Sequence, residues 1–341
     1  MRKELFKISI IGSSVLLFAC SDSQSRSITN SETPQNTSKS STVKLSFDWP
    51  SNHFADVEFT RNKLETSMGA KYRQTIKGKY LLSTHLIDKG LLIKKDDYAV
   101  TLGNEDSSKL NAVEKNAQEF LIRTTSKSPL FAVDSNGQVL GFLNIEEFKK
   151  ELTDAANEWI SSMSEFSPVR ERVPTIIKAL TQGNSIEQNL VNVWNREIGI
   201  WNDRSMEQGK KYDLQSNVTL DTLDYISIPK TVNLVFNGPV KCNESATEIK
   251  CVSLSYHYQL NTDEKAKAKE LYLSVKDDGR YDVRNLEVTY EMKVTIEPDT
   301  LLPHLILETD ELKQTVSREG YSDMHYTRSI TNTTTYKHRS K

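Results

Sequence analysis

The feature that most constrains the fold is a strict alternation of apolar and polar residues in the last third of the chain. In its clearest example, from Leu286 to Ile296, the even-numbered residues are apolar and polar residues stand between them. Because side chains of a β-strand point alternately to its two faces, this stretch predicts a strand with one buried and one wet face, which is typical of antiparallel sheets. The same alternation is present in residues 254–260 and 271–275. Residues 212–336 are therefore predicted to be β-rich.

Period-two patterning also marks residues 43–143, which we predict to be a second β-rich stretch. One long strand, or two strands bent near Gly78, is predicted from a set of apolar residues that share one parity: Tyr72, Ile76, Tyr80, Leu82 and Leu86. Farther on, Asn136 and Gly137 stand between two apolar runs. Asn-Gly in this setting is a strong hairpin signal, because both residues tolerate a positive φ.

Between these halves, in residues 144–204, the apolar residues recur at helical spacing instead. Asn144, with Glu147 three positions later, has the pattern of a helix N-cap. The predicted fold class is thus α+β: antiparallel, strongly curved β-sheet or sheets with a helical insert between two β-rich halves. We predict that residues 43–341 form a single body.

The first twenty residues have the pattern of an export signal. A positively charged start is followed by an apolar run of about eleven residues that ends at Phe18, too short to span a bilayer. At the end of this run, Leu17-Phe18-Ala19-Cys20 resembles the lipobox of bacterial lipoproteins. An uncleaved anchor, or ordinary export with an incidental cysteine, is the alternative interpretation.

The lipobox resemblance implies that residues 1–19 are a signal peptide and that Cys20 carries lipid, including palmitate, at the mature N-terminus. Several acyl chains on one cysteine anchor a protein firmly, whereas a single chain binds a membrane only marginally. Ser21, and not Asp, follows the cysteine, and the resemblance then implies the outer membrane, with the body facing the periplasm. Residues 20–42, which include the lipidated cysteine, are rich in Ser and Thr and predict a disordered tether.

The chain has three cysteines, and assigning Cys20 to lipid leaves Cys242 and Cys251. Export places this pair in an oxidising compartment, where we predict a disulfide. Free thiols, or half of a metal site, are the alternatives. The latter is poorly supported because the sequence places no histidine near either cysteine.

The body resembles uncharacterised bacterial envelope lipoproteins, some of which have a curved sheet over helices similar to the lipoprotein-carrier fold. The local features that carry this resemblance are Gly209-Lys210-Lys211-Tyr212 and the turn Asp278-Gly279-Arg280-Tyr281-Asp282. The resemblance implies a fold and an envelope location, and it assigns no functional residue beyond Cys20.

Sequence motifs give no positive sign of catalysis. The net charge of −2, with both signs interspersed, argues against a nucleic-acid partner. The six histidines have no metal-ligand spacing, and zinc-protease, nucleophile-elbow and phosphate-loop motifs are absent from the sequence. We therefore predict no catalytic residues, no metal and no cofactor.

The predicted function is that of a non-catalytic, lipid-anchored envelope lipoprotein that binds a protein partner or an apolar ligand in the concavity of its sheet. Four tyrosines suit either such a site or an ordinary core: Tyr256, Tyr258, Tyr272 and Tyr290. One alternative is an envelope hydrolase that acts on cell-wall or lipid substrates, and another is a surface-exposed adhesin or structural spacer.

Overall fold

The computed structural model describes residues 41–67, 69–103, 112–163, 170, 173–174, 177–178, 181, 183–220, 226–276 and 281–339. The predicted signal peptide, Cys20 and most of the predicted tether lie outside these ranges. The helices with described bounds are α1 (Ala112–Thr125), α2 (Ile145–Ser161), α3 (Ser185–Glu197) and α4 (Thr262–Lys276), and a short 3-10 helix spans Gly199–Trp201. The strands are β1 (Thr42–Lys44), β2 (Phe54–Ser67), β3 (Ala70–Ile87), β4 (Gly90–Gly103), β5 (Phe131–Val133), β6 (Val139–Phe142), β7 (Ser205–Glu207), β8 (Lys211–Leu220), β9 (Ile226–Lys241), β10 (Ile249–Gln259), β11 (Tyr281–Ile296), β12 (Pro303–Arg318) and β13 (Met324–His338).

Eleven of these strands form one open antiparallel sheet. Its order is β6-β5-β4-β3-β2-β13-β12-β11-β10-β9-β8, and β1 pairs separately with β7. Neighbours in the large sheet are consecutive in the chain except at its centre, where β2 lies beside β13. The register there sets Val57 opposite Tyr336 on one side and opposite Tyr80 on the other. We call the face that carries these three side chains the inner face.

The alternation predicted for residues 286–296 is confirmed, since every even-numbered residue of this part of β11 is buried. The mainly antiparallel sheet and the helical stretch between two β-rich parts also agree with the sequence-based prediction. The predicted hairpin is present as well: Asp134 Oδ1 accepts hydrogen bonds from the backbone N–H groups of Asn136 and Gln138 (2.8 Å each). Gly137 has a φ of 72° in this turn.

The prediction of a strand at residues 271–275 is wrong, because Leu271 and Leu273 lie in helix α4. A capping box starts this helix: the Glu264 N–H donates to Asn261 Oδ1 (2.9 Å), and the Asn261 N–H donates to Glu264 Oε2 (2.8 Å). Lys, Glu and Ala residues then favour helix over strand. The buried pair Ala268 and Tyr272 has the i, i+4 spacing of a helix face.

Two details of the first β-rich stretch also differ from the prediction. It contains helix α1, and Leu86, expected on the buried parity, is 73% exposed. The reason is that β2 pairs with β3 only as far as Ser83, so Leu86 extends beyond the covered part of the sheet. Near Gly78, β3 does not divide into two strands; it continues through an irregularity in register between Lys79 and Leu81.

Asn144 occupies the N-cap position of α2, but its side chain makes no capping hydrogen bond. Its Oδ1 accepts a hydrogen bond from the Leu130 N–H (2.7 Å) and so connects the start of the helix to the residue that precedes β5. A long-range contact has replaced the local one that the sequence predicts.

The buried apolar residues form two clusters. One covers the inner face of the sheet and includes Trp194 and Trp201. The other joins α1 and α2 to the segment that precedes α3, with the rings of Phe120 and Trp159 stacked at 5.2 Å between centroids. The helices therefore pack on the sheet and on each other. No helix within the described ranges is long and apolar enough to cross a membrane.

Candidate functional site

A cavity of about 260 Å³ lies between the inner face of the sheet and helices α1, α2 and α3. Strands β2, β3, β4, β12 and β13 supply one wall, and the three helices and residues 127–129 supply the other. Most of the surface that lines it is apolar, although half of its 24 lining residues are polar or charged. Cavities of this composition are typical of sites for small apolar or amphipathic ligands.

Tyrosine rings make up much of the sheet side of the cavity. Tyr80 and Tyr98 pack with their ring centroids 5.0 Å apart, and Tyr80 also shares a side-chain hydrogen bond with Tyr336. Phe59 lies across Gly78, where an added Cβ would come within 2.3 Å of its ring. Gly78 is therefore required for the aromatic wall, because a larger residue would displace Phe59.

The helix side is built mainly by α3. Its residues at i, i+4, i+7 and i+11 line the cavity together: Ile186, Leu190, Val193 and Glu197. Phe148 and Leu152 of α2 and Leu121 of α1 complete this wall. One face of α3 is thus apolar over three turns and ends in a carboxylate.

Of the two carboxylates in the cavity wall, Glu308 on β12 makes more hydrogen bonds and ion pairs. Its Oε1 accepts a hydrogen bond from the Tyr290 hydroxyl (2.5 Å) and lies 3.3 Å from Arg196, and its Oε2 accepts one from Asn332 (2.8 Å). Burial alone would raise the pKa of Glu308, but the Arg196 charge and these two hydrogen bonds outweigh it and lower the pKa. Glu308 is therefore ionised at neutral pH.

The pKa of Glu197 is shifted in the opposite direction. Burial, followed by the nearby Glu308 charge, raises its pKa from 4.5 to about 7, although Lys95 and Arg196 act in the other direction. Its place in the last turn of α3 also disfavours a negative charge, because the C-terminal end of a helix is itself partially negative. Among the described residues we find no hydrogen-bond partner for its carboxylate.

Lys95, on β4, is the cation that faces Glu197. Burial lowers its pKa, and the Glu197 charge only partly offsets this effect. Its Nζ lies 5.4 Å from the centre of the Tyr80 ring, a weakly favourable cation–π geometry. Lys95 and Glu197 interact electrostatically across the cavity without forming an ion pair in the part of the chain that the structure describes.

The cavity opens toward an outer depression of the surface. The two share Lys95, Tyr98, Lys127, Ser128 and Phe148 in their walls. Lys95 thus lies where the cavity meets the surface, and its side chain lines both the cavity and the outer depression.

The four tyrosines singled out from the sequence lie elsewhere. They are buried in the core, at 2–8% exposure, and none of them lines the cavity. Tyr258 and Tyr290 stack at 5.4 Å between centroids, and Lys230 Nζ lies 3.6 Å from the centre of the Tyr258 ring. Tyr272 belongs to α4 and not to a strand. Tyr290 touches the site through its hydrogen bond to Glu308.

Cys242 and Cys251 form a disulfide with an S–S distance of 2.04 Å. His304 lies beside it, with a ring nitrogen and both sulfurs within 4.8 Å of one another. Sequence spacing does not reveal this histidine, because the contact joins β12 to the β9–β10 hairpin. Each sulfur is bonded to the other, so the pair is structural in this state.

Comparison with known proteins does not assign the chain to a family. No protein-family model matches it, and no curated protein matches it. Among solved structures, one described as "Lipid-protein interactions in lipovitellin" gives a TM-score of 0.39 at 9% identity and covers 86% of this chain and 26% of that one. An outer membrane channel from Pseudomonas putida F1 gives a TM-score of 0.19 at 7% identity, with 85% of this chain and 97% of that one covered. The chain thus spans about a quarter of the lipovitellin chain, and both likenesses are too low to establish fold or function.

Lys95 and Glu197 are the functional candidates that sequence reasoning missed. Glu197 did leave a signal, since it is an acidic residue at a position where the spacing of Ile186, Leu190 and Val193 predicts an apolar one. Lys95 left none, because the exposure of a lysine in a strand depends on which helices cover that strand.

Proposed function

We propose that this chain is a lipid-anchored lipoprotein of the bacterial cell envelope that binds an apolar or amphipathic ligand in the cavity between its sheet and its helices. The observation that carries the binding function is a cavity whose lining surface is mostly apolar, with three tyrosine rings on the sheet side and polar or charged groups among the apolar side chains. Burial of apolar surface contributes roughly 25 cal/mol per Å², so a ligand that fills this space gains affinity without any chemical step.

The proposed anchor rests on the lipobox-like Leu17-Phe18-Ala19-Cys20. An outer-membrane position facing the periplasm is part of the same proposal, and Ser21 after the cysteine supports it. In that position the tether would separate the body from the membrane surface and leave the cavity accessible.

Filling the cavity should abolish ligand binding. We expect Leu190→Trp to weaken the binding of decanol, a neutral apolar probe, by about tenfold or more, because the indole occupies the space that the alkyl chain needs. Isothermal titration calorimetry on the purified full chain measures this effect. Leu86→Trp is the matched control, since Leu86 is 73% exposed and lies outside the cavity wall. Equal decanol binding by both variants and the wild type, or no binding by any of them, would contradict the proposal.

Replacing Cys20 with Ser should abolish lipid labelling. With no thiol to modify, we expect the variant to leave the membrane fraction or to accumulate as an uncleaved precursor. Metabolic labelling with radioactive palmitate, followed by fractionation, checks both outcomes, with Cys242→Ser as the control that retains the label. Label that persists in Cys20→Ser would exclude the lipobox assignment.

A second candidate function is hydrolysis of a cell-wall or lipid substrate. Glu197 and Glu308 line one cavity, and their surroundings move their pKa values in opposite directions, as in sites that use one carboxyl as acid and another as base. Glu308 is less suited to this role because its oxygens already accept hydrogen bonds from Tyr290 and Asn332. Product release from cell-wall or ester substrates by the wild type, lost in Glu308→Gln, would favour this candidate over binding alone.

A further inference from the structure

The charges in the cavity wall do not balance, and this imbalance indicates the chemistry of the ligand. The wall contains three cationic side chains, Arg61, Lys95 and Lys127, and two carboxylates, Glu197 and Glu308. With both carboxylates ionised the lining carries one excess positive charge, and the excess stays at one when the ion-pair partners Glu151 of Lys127 and Arg196 of Glu308 are counted. Protonation of Glu197 makes the excess two. An anion therefore lowers the electrostatic energy of this space, whereas a cation raises it.

Lys95 is the cation best placed to receive that anion. Lys127 is already paired with Glu151, and in the outer depression Asp96 is paired with Lys94 at 2.8 Å. Lys95, by contrast, has no carboxylate at ion-pair distance within the described ranges. Its ammonium is partly desolvated and Glu197 interacts with it only from a distance, so an anionic group of a ligand would supply a direct partner.

We propose that the cavity holds a single-chain amphiphile whose anionic head group lies against Lys95, and that an ionised Glu197 opposes the binding of this ligand. The inference rests on the proposed ligand-binding function and names the class of ligand. The apolar segment of the ligand lies along Leu121, Leu152, Ile186, Leu190 and Val193. At about 30 Å³ for each water-sized group, a cavity of about 260 Å³ accommodates an apolar segment of roughly nine heavy atoms.

The role of Glu197 follows from what surrounds it. The titratable and charged groups that face the cavity or Glu197 are Arg61 on β2, Tyr80 on β3, Lys95 and Tyr98 on β4, Lys127 in the segment after α1, Glu308 on β12, Tyr336 on β13 and Arg196 on α3. The cavity residues of α1 and α2 carry no charge. Glu308 stays ionised, and burial raises the pKa of each of these three tyrosines. Glu197, whose pKa is about 7, is therefore the acidic group of the wall whose charge changes between pH 6 and pH 8.

Three probes of equal chain length test the inference: decanoate, decanol and decylammonium, titrated calorimetrically into the purified full chain. At pH 6 we expect decanoate to bind more tightly than decanol, and decylammonium to bind most weakly. Around a pKa of about 7, the protonated fraction of Glu197 falls from about 0.9 at pH 6 to about 0.1 at pH 8, so decanoate affinity should fall about tenfold. Decanol affinity should stay constant over this range.

Two variants assign the effect to the named residues. Glu197→Gln should remove the pH dependence and bind decanoate at pH 8 as tightly as the wild type does at pH 6. Lys95→Met should bind decanoate no better than decanol. Glu270→Gln, the same substitution at an exposed residue of α4, should behave like the wild type. Circular dichroism of each variant verifies that it is folded before it is titrated.

The possible failures are distinguishable. Tighter binding of decylammonium than of decanoate, or a pH dependence that persists in Glu197→Gln, would overturn the head-group inference. If decanol and decanoate bind equally well, the cavity binds apolar chains, so the proposed function stands and the head-group inference fails. If none of the three probes binds, the proposed function itself fails.

Discussion

Replacing Glu197 with Gln should raise the free energy of unfolding by about 3 kcal/mol at pH 8. The pKa of Glu197 is raised from 4.5 to about 7, so the folded state binds this proton more tightly than the unfolded state does. Each pKa unit corresponds to 1.36 kcal/mol, and the resulting penalty is complete above pH 7 and disappears as the pH falls toward 4.5. Gln keeps the shape of the side chain without the charge.

Urea unfolding at pH 8 and at pH 4.5 measures this prediction. We expect the gain at pH 8 and almost none at pH 4.5, where the wild-type carboxyl is neutral in the folded state and about half protonated in the unfolded state. Glu270→Gln, at an exposed position, should change stability by a few tenths of a kcal/mol at either pH. A gain of the same size at both pH values would show that the Glu197 charge is not its cause.

The same unfolding experiment also detects the titration of His338, which changes stability with pH in the opposite direction. Burial, followed by the charges of His304 and His53, lowers the pKa of His338 from 6.5 to about 4. A histidine whose pKa is lowered by folding makes the protein less stable as the pH falls from 6.5 to 4. In the wild type this loss and the Glu197 gain oppose each other over nearly the same range. In this pH range the free energy of unfolding of the wild type should therefore stay nearly constant, whereas that of Glu197→Gln should fall as the pH falls.

Replacing Trp194 with Ala should cost about 3–5 kcal/mol of stability. Its ring, 7% exposed, lies 5.2 Å from Phe131 and 5.3 Å from Trp49 between centroids. Its Nε1–H donates to the Gly137 carbonyl oxygen (2.7 Å), so the variant loses a hydrogen bond as well as packing. This one side chain joins α3 to the β5–β6 hairpin.

Urea unfolding of Trp194→Ala, Trp194→Phe and Leu86→Ala separates the contributions. Trp194→Phe retains most of the packing and loses the Nε1–H, so we expect a smaller cost of about 1–3 kcal/mol from the unsatisfied carbonyl. Leu86→Ala removes an exposed side chain and should change stability by less than about 0.5 kcal/mol. A cost below about 1 kcal/mol for Trp194→Ala would mean that α3 does not depend on this contact.

Local sequence patterns predicted the structure correctly where the burial of side chains follows a single periodicity along the chain. Strand β11 was predicted correctly from Leu286 to Ile296 because its even-numbered residues face the core there, and the Asn136-Gly137 turn was predicted because its chemistry is local. Residues 271–275 were misassigned because alternating leucines in a short window fit either periodicity. The capping box of Asn261 and Glu264 was the signal that separates the two.

The cavity could not be predicted in the same way. It forms where Tyr80, Tyr98 and Tyr336, which come from three strands, meet one face of α3. Their alternation predicts that they face inward, but not that the helices stand away from them and leave a space. The sequence therefore pointed to other tyrosines, those near Tyr290, where packing closes the interior completely.

The pairing of β2 with β13 at the centre of the sheet also governs how the protein reaches its folded state. The Thr335 hydroxyl and the Glu58 carbonyl, which meet there, are separated by 277 residues. In the export proposed above, in which the chain would cross the membrane from its N-terminus, β2 has this neighbour only after β13 has emerged, and until then one edge of β2 is an unpaired template for aggregation. Pairing over such a separation also slows folding, because the entropy of closing the loop is lost before the contacts form. We therefore expect the body to complete its fold only after β13 has crossed, and to depend on protection of the β2 edge until that moment.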